Sequence, residues 1–196
     1  MKFLKSIAVA FALCLGLAGQ ASAYDPENTL YLDLPWGRVV IEMLPDLAPH
    51  HVARIKELVR KGFYDGTPFH RVISGFMAQG GDPTGTGTGG SGQKLMAEFS
   101  GVHFTRGVVG MARAAFPNSA DSQFFIMLGS SPSLDGKYTV WGQVLQGMEN
   151  VDKITKGDPS NNGIVSNPDR IVHMYVAADV DGKKAEGAKA SDEPKK

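Results

Sequence analysis

The run Phe69-His70-Arg71-Val72-Ile73-Ser74-Gly75-Phe76-Met77-Ala78-Gln79-Gly80-Gly81-Asp82 brings together a permanent cation, an aromatic ring, a thioether and an amide. Phe69, Arg71 and Ile73 alternate with His70 and Val72, which predicts a strand whose successive side chains point to opposite faces. Gly75, Gly80 and Gly81 let the backbone bend or approach another surface closely. No serine or cysteine in the run has a histidine and a carboxylate around it, and no residues have metal-ligand spacing. The groups suit an apolar groove with one fixed positive charge.

Other candidate residues carry less. His70, next to Arg71 on a strand, points to the other face and reads as a structural imidazole. His50 and His51 are adjacent and cannot share a helical face, so they make no metal pair. Gly85-Thr86-Gly87-Thr88-Gly89-Gly90 satisfies G-x-G-x-x-G, but Ser91-Gly92-Gln93 continues the loop where a dinucleotide site needs a helix N-terminus, and a Walker lysine is absent. Neither a metal nor a nucleotide is expected.

The elements that must hold the charged strand can be read on both sides of it. Thr29 to Asp33 and Arg38 to Leu44 alternate as strands around the turn Pro35-Trp36-Gly37. From Asp46 to Gly62 the period becomes helical: Val52, Ile55, Leu58, Val59 and Phe63 mark one face, and Arg54, Lys56, Glu57, Arg60 and Lys61 the other. Asp82 to Gln93 is a glycine-rich loop, of the length that is often functional. Val108 to Ala112, Phe124 to Leu128, Thr139 to Val144 and Arg170 to Ala177 read as strands, and Met148 to Lys156 as a second helix. Short alternating strands with two helices predict a closed or nearly closed β-barrel capped by helices.

At 196 residues with 42% hydrophobic content, one domain accounts for the chain. Lys2 and Lys5, the apolar run Ile7 to Ala18 and Ala21-Ser22-Ala23 form the three parts of a secretory signal over residues 1–23. The run is shorter than the ~20 residues of a spanning helix, so no membrane span is expected once the signal is removed. The only cysteine, Cys14, falls inside it. Without Lys2 and Lys5 the basic residues number 18 against 20 acidic, and a chain so near neutrality is a poor nucleic-acid partner. Residues 24–178 form the expected domain. Residues 179–196, without a large apolar side chain after Val180, are expected to be a disordered charged tail.

Three blocks in order, Phe69 to Ile73, Gly75 to Asp82 and Ser122-Gln123-Phe124-Phe125-Ile126, resemble the cyclophilin family of peptidyl-prolyl cis/trans isomerases. The likeness runs from about Thr29 to Val176 and takes in Leu134-Asp135-Gly136-Lys137 and Gly147-Met148-Glu149. It implies an eight-stranded antiparallel barrel closed by two helices, with Arg71, Phe76 and Gln79 catalytic. Met77, Ala112, Arg113, Gln123, Phe125, Leu134 and Tyr138 are implied to bind substrate. Phe124 and Phe125 alternate, so one belongs to the core and the other to the groove; the resemblance chooses Phe125 for the groove. Ser133, where many cyclophilins have tryptophan, implies weakened cyclosporin binding; Tyr138 and Arg113 replace the commoner histidine and asparagine.

The resemblance gives the chemistry a purpose. Prolyl isomerisation moves no proton; its barrier of about 18–20 kcal/mol is amide resonance. A guanidinium near the prolyl nitrogen can hydrogen-bond the lone pair that appears when the bond twists. The function implied is isomerisation of X-Pro bonds in proline-containing segments of exported or unfolded proteins, by a monomer without a cofactor. The expected location is the periplasm first and the extracellular space second. The rival reading is a proline-peptide-binding chaperone or scaffold with incidental turnover.

Overall fold

The hairpin read from the N-terminal alternation is found near the start of the computed structural model, which describes residues 24–180. The secretory signal, Cys14 and the tail beyond Val180 lie outside the described residues. Strands Thr29–Leu34 (β1) and Gly37–Met43 (β2) pair antiparallel, burying Leu30, Leu32 and Leu34 against Val39, Ile41 and Met43. Helix Pro49–Arg60 (α1) follows, with Pro49 in its first turn. The later strands are Arg71–Ile73 (β3), Met77–Gly80 (β4), Val108–Met111 (β5), Phe124–Met127 (β6), Val140–Gln146 (β7) and His173–Val176 (β8).

All pair antiparallel in one sheet of eight strands, in the order β3-β4-β6-β5-β7-β2-β1-β8. The expected closed barrel is therefore corrected to an open half-barrel: β3 and β8 are its two edges and share no ladder. The reason is local. The β3 edge is occupied by the segment 157–165, since Val72 N–H donates to Gly163 O (2.8 Å) and Val72 O accepts from Gly157 N–H (2.9 Å). Between the edges, irregular backbone takes over: Phe69 N–H donates to Asp169 O (2.9 Å), Ile171 N–H to Thr67 O (3.0 Å) and Val172 N–H to Asp33 O (2.8 Å). Those bonds satisfy edge groups that would otherwise template aggregation.

Two further expectations shift. The second helix is α-helical only over Met148–Val151 (α2) and runs on as turns through Ile154. Arg54, assigned to the exposed face of α1, is buried; its guanidinium donates to Glu57 Oε2 (2.7 Å) and Ser91 Oγ (2.8 Å). Ala177–Val180 is helical, and Asp179 pairs with Arg60 at 3.1 Å.

The sheet has apolar side chains on both faces. One face, with α1, holds the large core of Leu30, Ile41, Ile55, Val72, Phe124, Ile126 and Trp141. The other holds a smaller cluster of Met77, Phe104, Val108, Phe125, Met127 and Val140. Strand β6 divides its side chains between them by simple alternation, Phe124 and Ile126 to the first and Phe125 and Met127 to the second.

Candidate active site

The smaller cluster forms the floor of a groove. Phe76, Ala112, Leu134 and Tyr138 are half-buried and pack against it. Phe125 lies edge-on to Tyr138 (centroids 5.9 Å apart) and tilted against Phe104 (5.6 Å). Gly110 of β5 faces Phe125 across the ladder, and a Cβ there would lie 2.5 Å from Phe125 Cζ and 2.7 Å from Phe104 Cε1. Only a residue without a side chain lets the two rings meet under the groove.

Arg71 stands at the edge of this apolar floor. It lies directly opposite Gln79 in the β3–β4 register, and its Nη1 donates to Gln79 Oε1 at 3.1 Å while approaching Met77 Sδ at 3.9 Å. Its other side is held by Asn162, with Nε donating to Asn162 O and Nη2 to Asn162 Oδ1, both at 3.0 Å. A guanidinium has five N–H bonds; with Nη1 shared between Gln79 and Met77, the one left without a partner among the described residues is on Nη2. Burial lowers the Arg71 pKa, with the Tyr138 hydroxyl opposing; a group titrating so far above neutrality stays charged.

From Gln79 a relay runs outward. Gln79 Nε2 donates to Gln123 Oε1 (2.9 Å), and Gln123 Nε2 donates to Gly87 O (3.0 Å) and Gly89 O (2.8 Å) of the glycine-rich loop. The buried Asp82 carboxylate fixes that loop from within, accepting from the Thr84 amide and hydroxyl (both 2.8 Å) and from the Gly87 (2.7 Å) and Gly89 (3.0 Å) amides. Burial works to raise the Asp82 carboxyl, but the Thr84, Gly89 and Gly87 donors outweigh it and hold the group below the usual carboxylate range. Asp121, accepting from Ser91 and Lys94, pins the loop's far end.

Beside the apolar floor lies a polar pocket of about 300 Å³, bounded by Gln79, Gly89, Lys94, Ala112, Arg113 and Gln123. Ala112 belongs to both compartments. Of the ten site residues expected from the sequence, nine line these two adjoining spaces, and Arg71 touches both through Met77 and Gln79. Arg113 differs in its engagement: it stacks over Tyr138 (4.5 Å) and spends its donors on Lys137 O, Ala114 O and Ala115 O, bracing the wall.

Three contributors escape the sequence reading. Asn162, Gly110 and Phe104 lie far along the chain from the segment they serve. Asn162-Gly163 is a turn signal, and a glycine inside a strand signals close approach, but neither names its partner. His70 is buried on the face away from Arg71, where burial lowers its pKa, in keeping with a structural role. His51 is buried with Nδ1 2.6 Å from Glu98 Oε2, and the Glu98 carboxylate also accepts from the His50 and His51 amides at the start of α1. Among the described residues no three His, Cys, Asp or Glu side chains converge as a metal site.

Residues 30–176 match the family model described as cyclophilin type peptidyl-prolyl cis-trans isomerase. A probable peptidyl-prolyl cis-trans isomerase of Brucella suis is 53% identical over 194 residues, covering 91% of this chain and 99% of its own. The human peptidyl-prolyl cis-trans isomerase-like 1 is 42% identical over 137 residues, 67% of this chain and 81% of that one. Among solved structures, cyclophilin AquaCyp293 from Hirschia baltica superposes with a TM-score of 0.71 at 32% identity, covering 79% of this chain and 76% of its own. A Cryptosporidium parvum cyclophilin type peptidyl-prolyl cis-trans isomerase, crystallised in the presence of the dipeptide Ala-Pro, gives 0.69 at 30% identity over 76% of this chain and 98% of that one.

Proposed function

This chain belongs to the cyclophilin-type peptidyl-prolyl cis-trans isomerases, and we propose that it turns over X-Pro bonds with Arg71 as the catalytic side chain. The observation that carries the assignment is a guanidinium held by Gln79 and Asn162 at the edge of an apolar floor, its Nη1 and Nη2 donors beside that floor. A proline ring seated on Phe76, Met77, Phe125 and Leu134 would bring its nitrogen within reach of those donors. As the C–N bond twists, the nitrogen lone pair localises and becomes an acceptor that it is not in the planar amide. A hydrogen bond made only at that point lowers the barrier without deepening the ground state. Ala112 and Gln123, with Gln79, are suited to hold the flanking peptide backbone, and the polar pocket to receive a neighbouring side chain.

The biological setting is proposed from the N-terminal pattern. A basic start, a short apolar run and Ala21-Ser22-Ala23 support export and cleavage after Ala23, with a monomer acting on newly translocated or unfolded chains in the periplasm. There, uncatalysed isomerisation takes tens to hundreds of seconds and limits folding.

Arg71→Ala tests the assignment in a protease-coupled assay on an X-Pro tetrapeptide. The expected result is a loss of about 10²–10³-fold in kcat/KM, the range seen when one donor to a developing charge is removed. Activity retained within threefold would overturn the role of Arg71. Activity lost with protein-folding assistance intact would favour the binding-module reading.

A further inference from the structure

We propose that Asn162 is a positioning residue for catalysis, setting the plane of the Arg71 guanidinium; the assignment rests on Arg71 being the catalytic side chain. Three observations lead there. The first is the docking of its loop. The segment 157–165 lies along the open edge of β3, with backbone bonds at His70, whose O accepts from Val165 N–H (3.0 Å), and at both groups of Val72. These flank Arg71, so the edge strand itself fixes where the loop tip stands relative to the guanidinium.

The second is the tip's conformation. Asp158 closes the turn, its carboxylate accepting from the Ser160 amide (2.8 Å) and hydroxyl (2.7 Å), its O from the Gly163 amide (2.8 Å). Asn162, with φ of 54°, is the one residue other than glycine at positive φ among the described residues. Glycine would adopt that backbone without strain. An asparagine there accepts strain and in return offers a side-chain oxygen.

The third is what that oxygen does. Asn162 O and Oδ1 take Nε and Nη2, two parallel bonds from one residue to one edge of the guanidinium plane. Gln79 takes Nη1 from the other side. Bonds from two directions leave the plane no free rotation, and so fix the terminal nitrogens beside the apolar floor where a prolyl nitrogen would be met. Without Oδ1, Nη2 is released and the group can turn about the Nε bond. A hydrogen bond to a twisting nitrogen depends steeply on direction, so loss of orientation should appear in kcat and spare substrate binding.

Asn162→Gly is the informative variant, because it keeps the backbone carbonyl, relaxes the turn and removes only Oδ1. Peptide turnover would be measured for wild type, N162G, R71A and R71A/N162G, with thermal unfolding and the Arg71 Nε–H resonance followed by NMR. The expected result is a five- to twentyfold fall in kcat for N162G with KM within twofold and an unchanged or raised Tm. The Arg71 Nε–H signal should broaden or exchange faster, and the double variant should be no slower than R71A. N162G within twofold of wild type while R71A is inactive would overturn the role of Asn162 alone. The same proportional loss from N162G in the R71A background would overturn it too, since the effect would not pass through the arginine. An active R71A would overturn both assignments.

Discussion

Arg71 and Gln79 face each other across the β3–β4 ladder, and the 3.1 Å bond between them continues through Gln123 to the carbonyls of Gly87 and Gly89. The guanidinium and the glycine-rich loop are thereby ends of one hydrogen-bonded chain. Gln79→Ala should lower kcat by about tenfold, the effect of losing a bond to a charged donor, with a smaller change in KM. Steady-state peptide kinetics check this. Gln79→Glu should fall as well, because a carboxylate beside Arg71 offsets the charge that the twisted amide needs.

Asp82 ties loop stability to pH. Its folded pKa is depressed, so its four bonds stabilise fully above the unfolded value, near 3.9, and are lost as pH falls through the folded value. Asp82→Asn should cost about 2–4 kcal/mol at pH 7, because an amide turned toward the Gly87 and Gly89 donors cannot accept from them all. Thermal unfolding should show Tm lower by roughly 5–10 °C at pH 7, with a shallower decline on acidification than in wild type. Some decline should persist through Glu98 and Asp121, whose carboxyls are also held low.

Gly110→Ala should disturb groove and fold together. A methyl group 2.5 Å from Phe125 Cζ forces the ring to move, at a cost of about 1–3 kcal/mol for overpacking. Denaturant melts should report that loss. KM for an X-Pro peptide should rise, since the displaced ring is part of the floor.

Cyclosporin should bind weakly, with an inhibition constant above the nanomolar range. Ser133 lies exposed in the turn Pro132–Leu134 beside the groove, its hydroxyl 3.0 Å from Ser131 Oγ, and supplies neither ring area nor an indole N–H. Ser133→Trp should tighten inhibition by tenfold or more in the same peptide assay.

Export predicts a defined mature terminus. Protein recovered from outside the cytoplasm should begin at Tyr24 on N-terminal sequencing, and Ala23→Arg should block processing. A full-length chain retained in the cytoplasm would count against the assignment.

Local patterns carried much of this structure in readable form. The β1–β2 hairpin, the apolar stripe of α1 and the alternation that sends Arg71 and Val72 to opposite faces all depend on near neighbours, and all are present. The closure of the sheet was not readable, because whether β3 meets β8 depends on residues 157–165 reaching the edge first. Arg54 departs from its pattern for a related reason: a charge on a helical pattern is exposed by default, and its partner Ser91 comes from a remote loop. In the site, the alternation of Phe124 and Phe125 was visible, but which face each ring served was not. Asn162 and Gly110 meet their partners only through tertiary pairing.

Strand β6 reads Phe-Phe-Ile-Met and is buried along its whole length, so hydrophobicity alone cannot tell a correct pairing from one displaced by a residue. The glycine opposite Phe125 can. Phe125 faces Gly110 on β5, where a Cβ would lie 2.5 Å from its ring. A slip of one residue against β5 would set Phe125 opposite Val109 or Met111 and turn its ring to the face that Phe124 now holds. The missing side chain of Gly110 thus works as a molecular key for strand register, favouring the one alignment that lays Phe125 into the groove floor.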